Sequence, residues 1–131
     1  MSDPNPRLAR LTELGTSIWL DQLHRGLITG GDLARMTTAD CLRGVTSNPA
    51  IFKAAIVGND AYDDQLAELA RTGADAREIY RALAIEDIQG ACDALRPVWE
   101  KTGHADGFVS FEVDPDLAFD TGQTLDQAKQ Y

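Results

Sequence analysis

Arg43-Gly44-Val45-Thr46-Ser47-Asn48-Pro49 is the stretch whose reading decides the fold. Val45 and Thr46 favour a pleated strand. Pro49 pushes Asn48 away from the α region and can itself open a helix, because the first helical N–H has no intrahelical partner. The stretch therefore predicts a strand, Leu42 to Ser47, that runs into a helix, with Asn48 at the strand end, at the helix N-cap, or both. In an α/β barrel such junctions face the reaction centre, since the strands point their carboxyl ends toward it.

Two further stretches end in the same manner. Thr16-Ser17-Ile18-Trp19-Leu20-Asp21 is a strand candidate closing on a carboxylate, and Gly107-Phe108-Val109-Ser110-Phe111-Glu112-Val113 is another. Side chains alternate faces along a strand. With Asp21 inward, Trp19 and Ser17 join it; with Asn48 inward, Thr46 and Gly44 join it; with Glu112 inward, Ser110 and Phe108 join it. Each strand then keeps an apolar side for helices: Ile18 and Leu20, Val45, and Val109, Phe111 and Val113. Two carboxylates and an amide on matching faces suit acid–base work on hydroxyls and carbonyls. Singly, each has a plainer use: Asp21 as a solvated strand end, Asn48 as a cap, Glu112 as a partner for a rim arginine.

Around the strands the pattern is helical. Residues 1–6 read as a loose tail, and Leu8, Leu11 and Leu14 line a helix that stops at Gly15. Residues 22–31 read as a glycine-bearing turn, followed by a short helix from Asp32 with Leu33 and Met36 inward. Ile51, Phe52, Ala55 and Ile56 define the helix after Pro49. Asn59 or Asp60 caps another helix, with a stripe of Tyr62, Leu66 and Leu69. Asp75 and Glu78 form a capping box for the longest helix, whose stripe is Tyr80, Leu83, Ala84, Ile88, Ala91, Cys92, Leu95 and Trp99, with a kink or restart expected at Pro97. A final helix begins at Thr121 or Thr124. One helix, then strand and helices three times over, is the order of a parallel sheet with crossover connections.

Composition sets bounds. The 131 residues, 44% hydrophobic and 25% charged, suffice for one domain with a core but fall short of the roughly 200 residues of a complete (β/α)₈ barrel. A net charge of −9 argues against nucleic-acid or anionic-membrane partners. No run approaches ~18 apolar residues, and the start carries no basic, apolar leader, so a cytoplasmic protein with Cys41 and Cys92 buried and reduced is expected. Asp114, Asp116 and Asp120 lack the glycine and glutamate of a calcium loop. His24 and His104 stand alone, so no metal is expected, although His24 follows the first strand and falls near the mouth of the site. Trp19 reads as core, and Arg25 and Arg43 as edge ion-pair residues.

The segments Ser17–Asp21, Gly44–Phe52 and Val109–Val113 together resemble transaldolase, in the longer bacterial form, from about Leu11 to the last residue. The resemblance implies a (β/α)₈ TIM barrel, of which residues 1–131 would be a single partial domain. That domain holds a leading helix and about three βα units and is truncated before the fourth strand. It implies transfer of a dihydroxyacetone unit between sugar phosphates through a lysine Schiff base, without metal or organic cofactor. By the same resemblance Asp21 handles the proton of the hydroxyl at the cleaved bond, and Asn48, with Thr46 and Ser47 beside it, binds substrate. Glu112 works through a water in forming and hydrolysing the Schiff base. The family's Schiff-base lysine lies on the fourth strand, whereas Lys53, Lys101 and Lys129 fall on helices or near a turn, so this chain alone is expected to be inactive. Its uncovered strands are expected to make it associate with itself or another chain. Two alternatives remain: an aldolase cleaving fructose 6-phosphate, and a non-catalytic half-barrel assembly module.

Overall fold

The computed structural model describes residues 4–131. Its elements are α1 (Pro6–Glu13), β1 (Ile18–Leu20), α2 (Arg25–Thr29), α3 (Asp32–Ala39), β2 (Leu42–Val45), α4 (Pro49–Ile56), α5 (Asp63–Arg71), α6 (Ala76–Lys101), β3 (Phe108–Val109) and α7 (Thr121–Gln130). Of the expected loose tail, residues 1–3 lie outside the described residues. Asn5 is no tail residue: its side chain accepts the Arg7 N–H and caps α1.

The three strands form one parallel sheet in the order β1-β2-β3. Leu20, Val45 and Val109 share one register row and belong to the core, whereas Trp19, Gly44 and Phe108 share the next and face the other way. Strict alternation would carry Leu42 to Gly44's face. A bulge prevents this: Ile18 pairs with Leu42 and Trp19 with Gly44, leaving Arg43 without an opposite number in β1. Leu42 and Val45 are consequently both buried on the helical side.

On that side α6 packs against β2, β3, α2, α3 and α5. Ala84, Ala91, Leu95 and Val98 from α6 are buried in one cluster with Leu23, Leu27, Leu33 and Phe52, while Leu83 is buried with Ala55 and Tyr62 in a second. Fully burying one such leucine or phenylalanine stabilises the fold by about 1.5–3 kcal/mol. Phe52 meets Tyr80 and Phe111 edge-on, with ring centroids 6.1 and 5.9 Å away. The capping box is present in full: Asp75 accepts from the Arg77 and Glu78 amides, and Glu78 accepts from the Asp75 amide.

Several expectations are corrected. The turn at residues 22–31 contains α2, because His24 Nδ1 accepts the Leu27 N–H and Leu27 is buried beneath it. The helix foreseen after Asn59 opens with a 3₁₀ turn, Asp60–Tyr62, and Leu66 on the following α5 is exposed. The long helix continues through Pro97 to Lys101 without a restart. Cys92 on α6 is exposed, although Cys41 is buried. Trp19 is 40% exposed and Phe108 46% exposed, on the face away from the helices, so Trp19 is not core. Its indole lies over Gly44, where a side chain would collide with it, and its N–H donates to Ser17 Oγ at 2.9 Å. The third strand is ladder-paired only at Phe108 and Val109, since β2 ends at Val45 and the Ser110 N–H takes the Val45 carbonyl at 2.9 Å. No helix among the described residues is long and apolar enough to cross a membrane.

Gly107 sets the entry to β3. Its φ is +89°, and a Cβ there would stand 2.5 Å from the Trp99 amide nitrogen. Gly107→Ala therefore combines a disfavoured backbone region with an overlap against the body of α6. It should destabilise the chain by more than about 1 kcal/mol, read as a lowered midpoint in urea or thermal unfolding. An unchanged midpoint would contradict the close approach.

Candidate active site

Asp21 and Thr46 meet where β1 and β2 end. The Thr46 N–H donates to the Leu20 carbonyl at 2.9 Å, continuing the ladder by one bond. Its hydroxyl donates to Asp21 Oδ1 at 2.6 Å. One residue thus fixes both the strand register and one carboxylate oxygen. Asp21 is exposed, so its second oxygen faces solvent-accessible space, and an acceptor oriented in this way suits taking a proton from a hydroxyl.

Asn48 is a strand-end residue and a helix cap at once. Its backbone is extended, and Oδ1 accepts the Ile51 N–H at 2.9 Å, opening α4. The carboxamide NH₂ makes no hydrogen bond with the described residues and remains a donor. Ser47 is committed differently. It is 1% exposed, its hydroxyl donates to the Ser110 carbonyl at 2.5 Å, and its N–H reaches Ser110 Oγ at 3.4 Å. Ser47 ties the end of β2 to the chain leaving β3.

Glu112 lies beyond that tie in a segment without ladder pairing. It is exposed and takes part in no ion pair among the described residues. The chain just after it is anchored firmly. Asp114 accepts from Arg81 at 3.2 Å and from Gln127 Nε2 at 3.0 Å, and its own N–H donates to Gln127 Oε1 at 2.6 Å. Asp116 pairs with Arg77 at 2.7 Å, and Asp120 caps α7 by accepting the Gln123 N–H. Each carboxylate of the acidic loop thus has a structural partner. Burial first, then Tyr131, Asp114 and Glu112, pushes the Tyr80 phenol up to about 12, so that buried hydroxyl stays protonated at neutral pH.

A groove of about 340 Å³ opens beside Asp21, lined also by Gln22, His24, Ile51, Ala54 and Asn59. His24 therefore stands at the mouth, as its place after the first strand implied. With Nδ1 accepting the Leu27 N–H, a neutral His24 carries its proton on Nε2. Asn48 and Glu112 lie outside this lining. The geometry joins Asp21 to Thr46 directly and gives Asn48 and Glu112 separate supports at the ends of β2 and after β3.

Sequence reasoning missed a buried group behind this groove. Arg25, expected at an edge, donates from Nε to Asp87 Oδ1 at 2.9 Å, and Asp87 is only 2% exposed. Tyr62 donates to Asp87 Oδ2 at 2.6 Å. The available signal was Asp87 itself, an acid on the same helical face as Leu83, Ala84 and Ala91. Arg43, also expected in an edge ion pair, donates instead to the Leu42 carbonyl at 3.1 Å.

Comparison with known proteins places the chain in a family. The family profile described as Transaldolase/Fructose-6-phosphate aldolase matches residues 18–131. The chain is 45% identical over 128 residues to the transaldolase of Mycolicibacterium paratuberculosis, covering 98% of this chain and 34% of that protein. It is 47% identical over 130 residues to transaldolase 1 of Streptomyces avermitilis, covering 99% and 34%. It is 48% identical over 120 residues to the transaldolase of Thiobacillus denitrificans, covering 92% and 33%. The chain thus spans about a third of the length of these relatives. A profile match that runs from β1 to the final residue shows that this chain belongs to the transaldolase/fructose-6-phosphate aldolase family.

Proposed function

We propose that residues 1–131 form the first three βα units of a (β/α)₈ barrel whose complete form moves a dihydroxyacetone unit between sugar phosphates. In that reading sedoheptulose 7-phosphate and glyceraldehyde 3-phosphate give erythrose 4-phosphate and fructose 6-phosphate, in the non-oxidative pentose phosphate pathway of the cytoplasm. The observation that carries it is the Thr46–Asp21 contact: a carboxylate held at 2.6 Å by the neighbouring strand, at the carboxyl end of a parallel sheet. The relatives are transaldolases by name, which favours transaldolase over an aldolase that only cleaves fructose 6-phosphate.

The chemistry divides among the strand ends. A lysine amine condenses with the ketose carbonyl, releasing water, and Glu112 serves this step through a water molecule. Asp21 removes the proton of the hydroxyl at the bond to be cleaved; the carbon–carbon bond breaks, an aldose phosphate leaves, and the three-carbon unit stays on the amine. Asn48 and Thr46 hold that unit through amide and hydroxyl, while Ser47 supports them from beneath. The amine must reach the carbonyl these groups serve. Lys53 on α4, Lys101 at the end of α6 and Lys129 on α7 are all exposed on helices, so the nucleophile is assigned to a later strand, and the 131-residue chain by itself is inactive.

The test joins this chain to the remaining part of the Thiobacillus denitrificans relative and traps the product of incubation with fructose 6-phosphate by borohydride. Peptide mass mapping should find an adduct on a lysine of the added part, and none on Lys53, Lys101 or Lys129 in either protein. In the fusion, Asp21→Asn should lower kcat on the order of 10²-fold, the scale of a lost acid–base group. A folded fusion that forms no adduct, beside a relative that does, would sink the reading.

The open face predicts behaviour of the isolated chain. Trp19 and Phe108 are exposed there, and β1 and β3 are sheet edges. The isolated chain should self-associate at micromolar concentration, seen as a light-scattering mass above that of one chain. A monodisperse, stably folded monomer would argue against an open, adhesive face.

A further inference from the structure

The segment from Asp21 to His24 has few main-chain supports. The Leu20 carbonyl accepts from Thr46 before it, and the His24 carbonyl accepts from Leu27 after it; what fixes the segment between them is its side chains and its attachment at Arg25. Leu23 is buried. Immediately beyond, the Arg25 N–H donates to the Tyr62 hydroxyl at 2.9 Å, and that hydroxyl donates to Asp87 at 2.6 Å. The Arg25 guanidinium returns to the same carboxylate at 2.9 Å and lies 4.5 Å from the Tyr62 ring centroid.

Tyr62 thus links three elements: the 3₁₀ turn that follows Asn59, the start of α2 and the middle of α6. Both walls of the groove beside Asp21 run into this link, the His24 wall through Arg25 and the Asn59 wall through Tyr62. We propose that Tyr62 and Asp87 are positioning residues for Asp21, holding the 21–24 segment so that the Asp21 carboxylate keeps its place against Thr46. This rests on the reading of Asp21 as the proton-handling group. Burial and the bond to Asp87 raise the Tyr62 phenol above its ordinary value, so it remains a donor to Asp87 across the neutral range. The Asp87 carboxylate accepts from two donors, the Tyr62 hydroxyl and the Arg25 guanidinium, which is what a nearly buried charge requires.

Tyr62→Phe removes one oxygen and keeps the ring. Amide exchange read by peptide mass spectrometry on the 131-residue chain, below its association concentration, should then speed up by about tenfold or more in the peptide spanning residues 21–25, with β2 and the rest of α6 unchanged. In the fusion described above, Tyr62→Phe should lower kcat about tenfold with KM little changed, the scale of a misplaced reacting group. Asp87→Asn, which retains an acceptor for the Tyr62 hydroxyl, should have the smaller effect on exchange in that peptide. Unchanged exchange at residues 21–25 in Tyr62→Phe would overturn the proposal, as would loss of protection throughout the chain in both variants, which would make the network a support of the whole fold. Altered exchange with an unreactive unsubstituted fusion would place the failure on the enzymatic reading, and a reactive fusion indifferent to Tyr62→Phe would place it on the positioning role.

Discussion

Thr46 donates twice to the neighbouring strand, from its amide to the Leu20 carbonyl and from its hydroxyl to the Asp21 carboxylate. The first bond is structural and the second is chemical, and one backbone position supplies both. Because the amide bond fixes the register, the hydroxyl can reach only one side chain. β2 lies at the centre of the sheet, so the same register also sets Gly44 under Trp19 and Val45 into the core. A slip of one residue would turn every one of these side chains to the opposite face. The Arg43 bulge places a phase change before Gly44, so Leu42 can join the core while Gly44 and Thr46 keep theirs.

What the sequence disclosed follows from local chemistry. The Asn48-Pro49 junction reads correctly because proline restricts its predecessor and tolerates the first helical turn, and the structure caps α4 as expected. The Asp75–Glu78 box and the buried faces of Leu33 and Phe52 read equally well, since each depends on spacings within one element. Misreadings occur where distant residues decide. Three glycines concealed α2, which depends on a histidine cap and on Leu27 finding a buried site. The length of β3 was overestimated, because alternation continues to Val113 but its pairing partner turns away at Val45.

The candidate site divides in the same manner. Asp21 and Asn48 were legible as groups just past the ends of β1 and β2, since side-chain type and parity are sequence properties, whereas Glu112 lies beyond the paired part of β3 and not at its end. Ser47's burial was not, because it depends on Ser110 approaching from another strand. Nor was the Arg25–Tyr62–Asp87 group, whose members come from three separate stretches. Only Asp87 left a mark, as an acid among apolar residues, and an unpaired carboxylate there would be costly enough to demand a partner. The search for that partner is a three-dimensional question.

The unequal surroundings of the two tryptophans have an optical consequence. Trp19 lies over Gly44 on the open side of the sheet, in contact with water, whereas Trp99 stacks on His104 with ring centroids 3.6 Å apart. Emission from Trp19 should therefore shift toward the blue whenever another surface closes over the sheet. Emission from Trp99 reports instead on the histidine ring stacked against it. The chain carries two indoles reporting on separate events, one at the sheet's open face and one at the turn that follows α6.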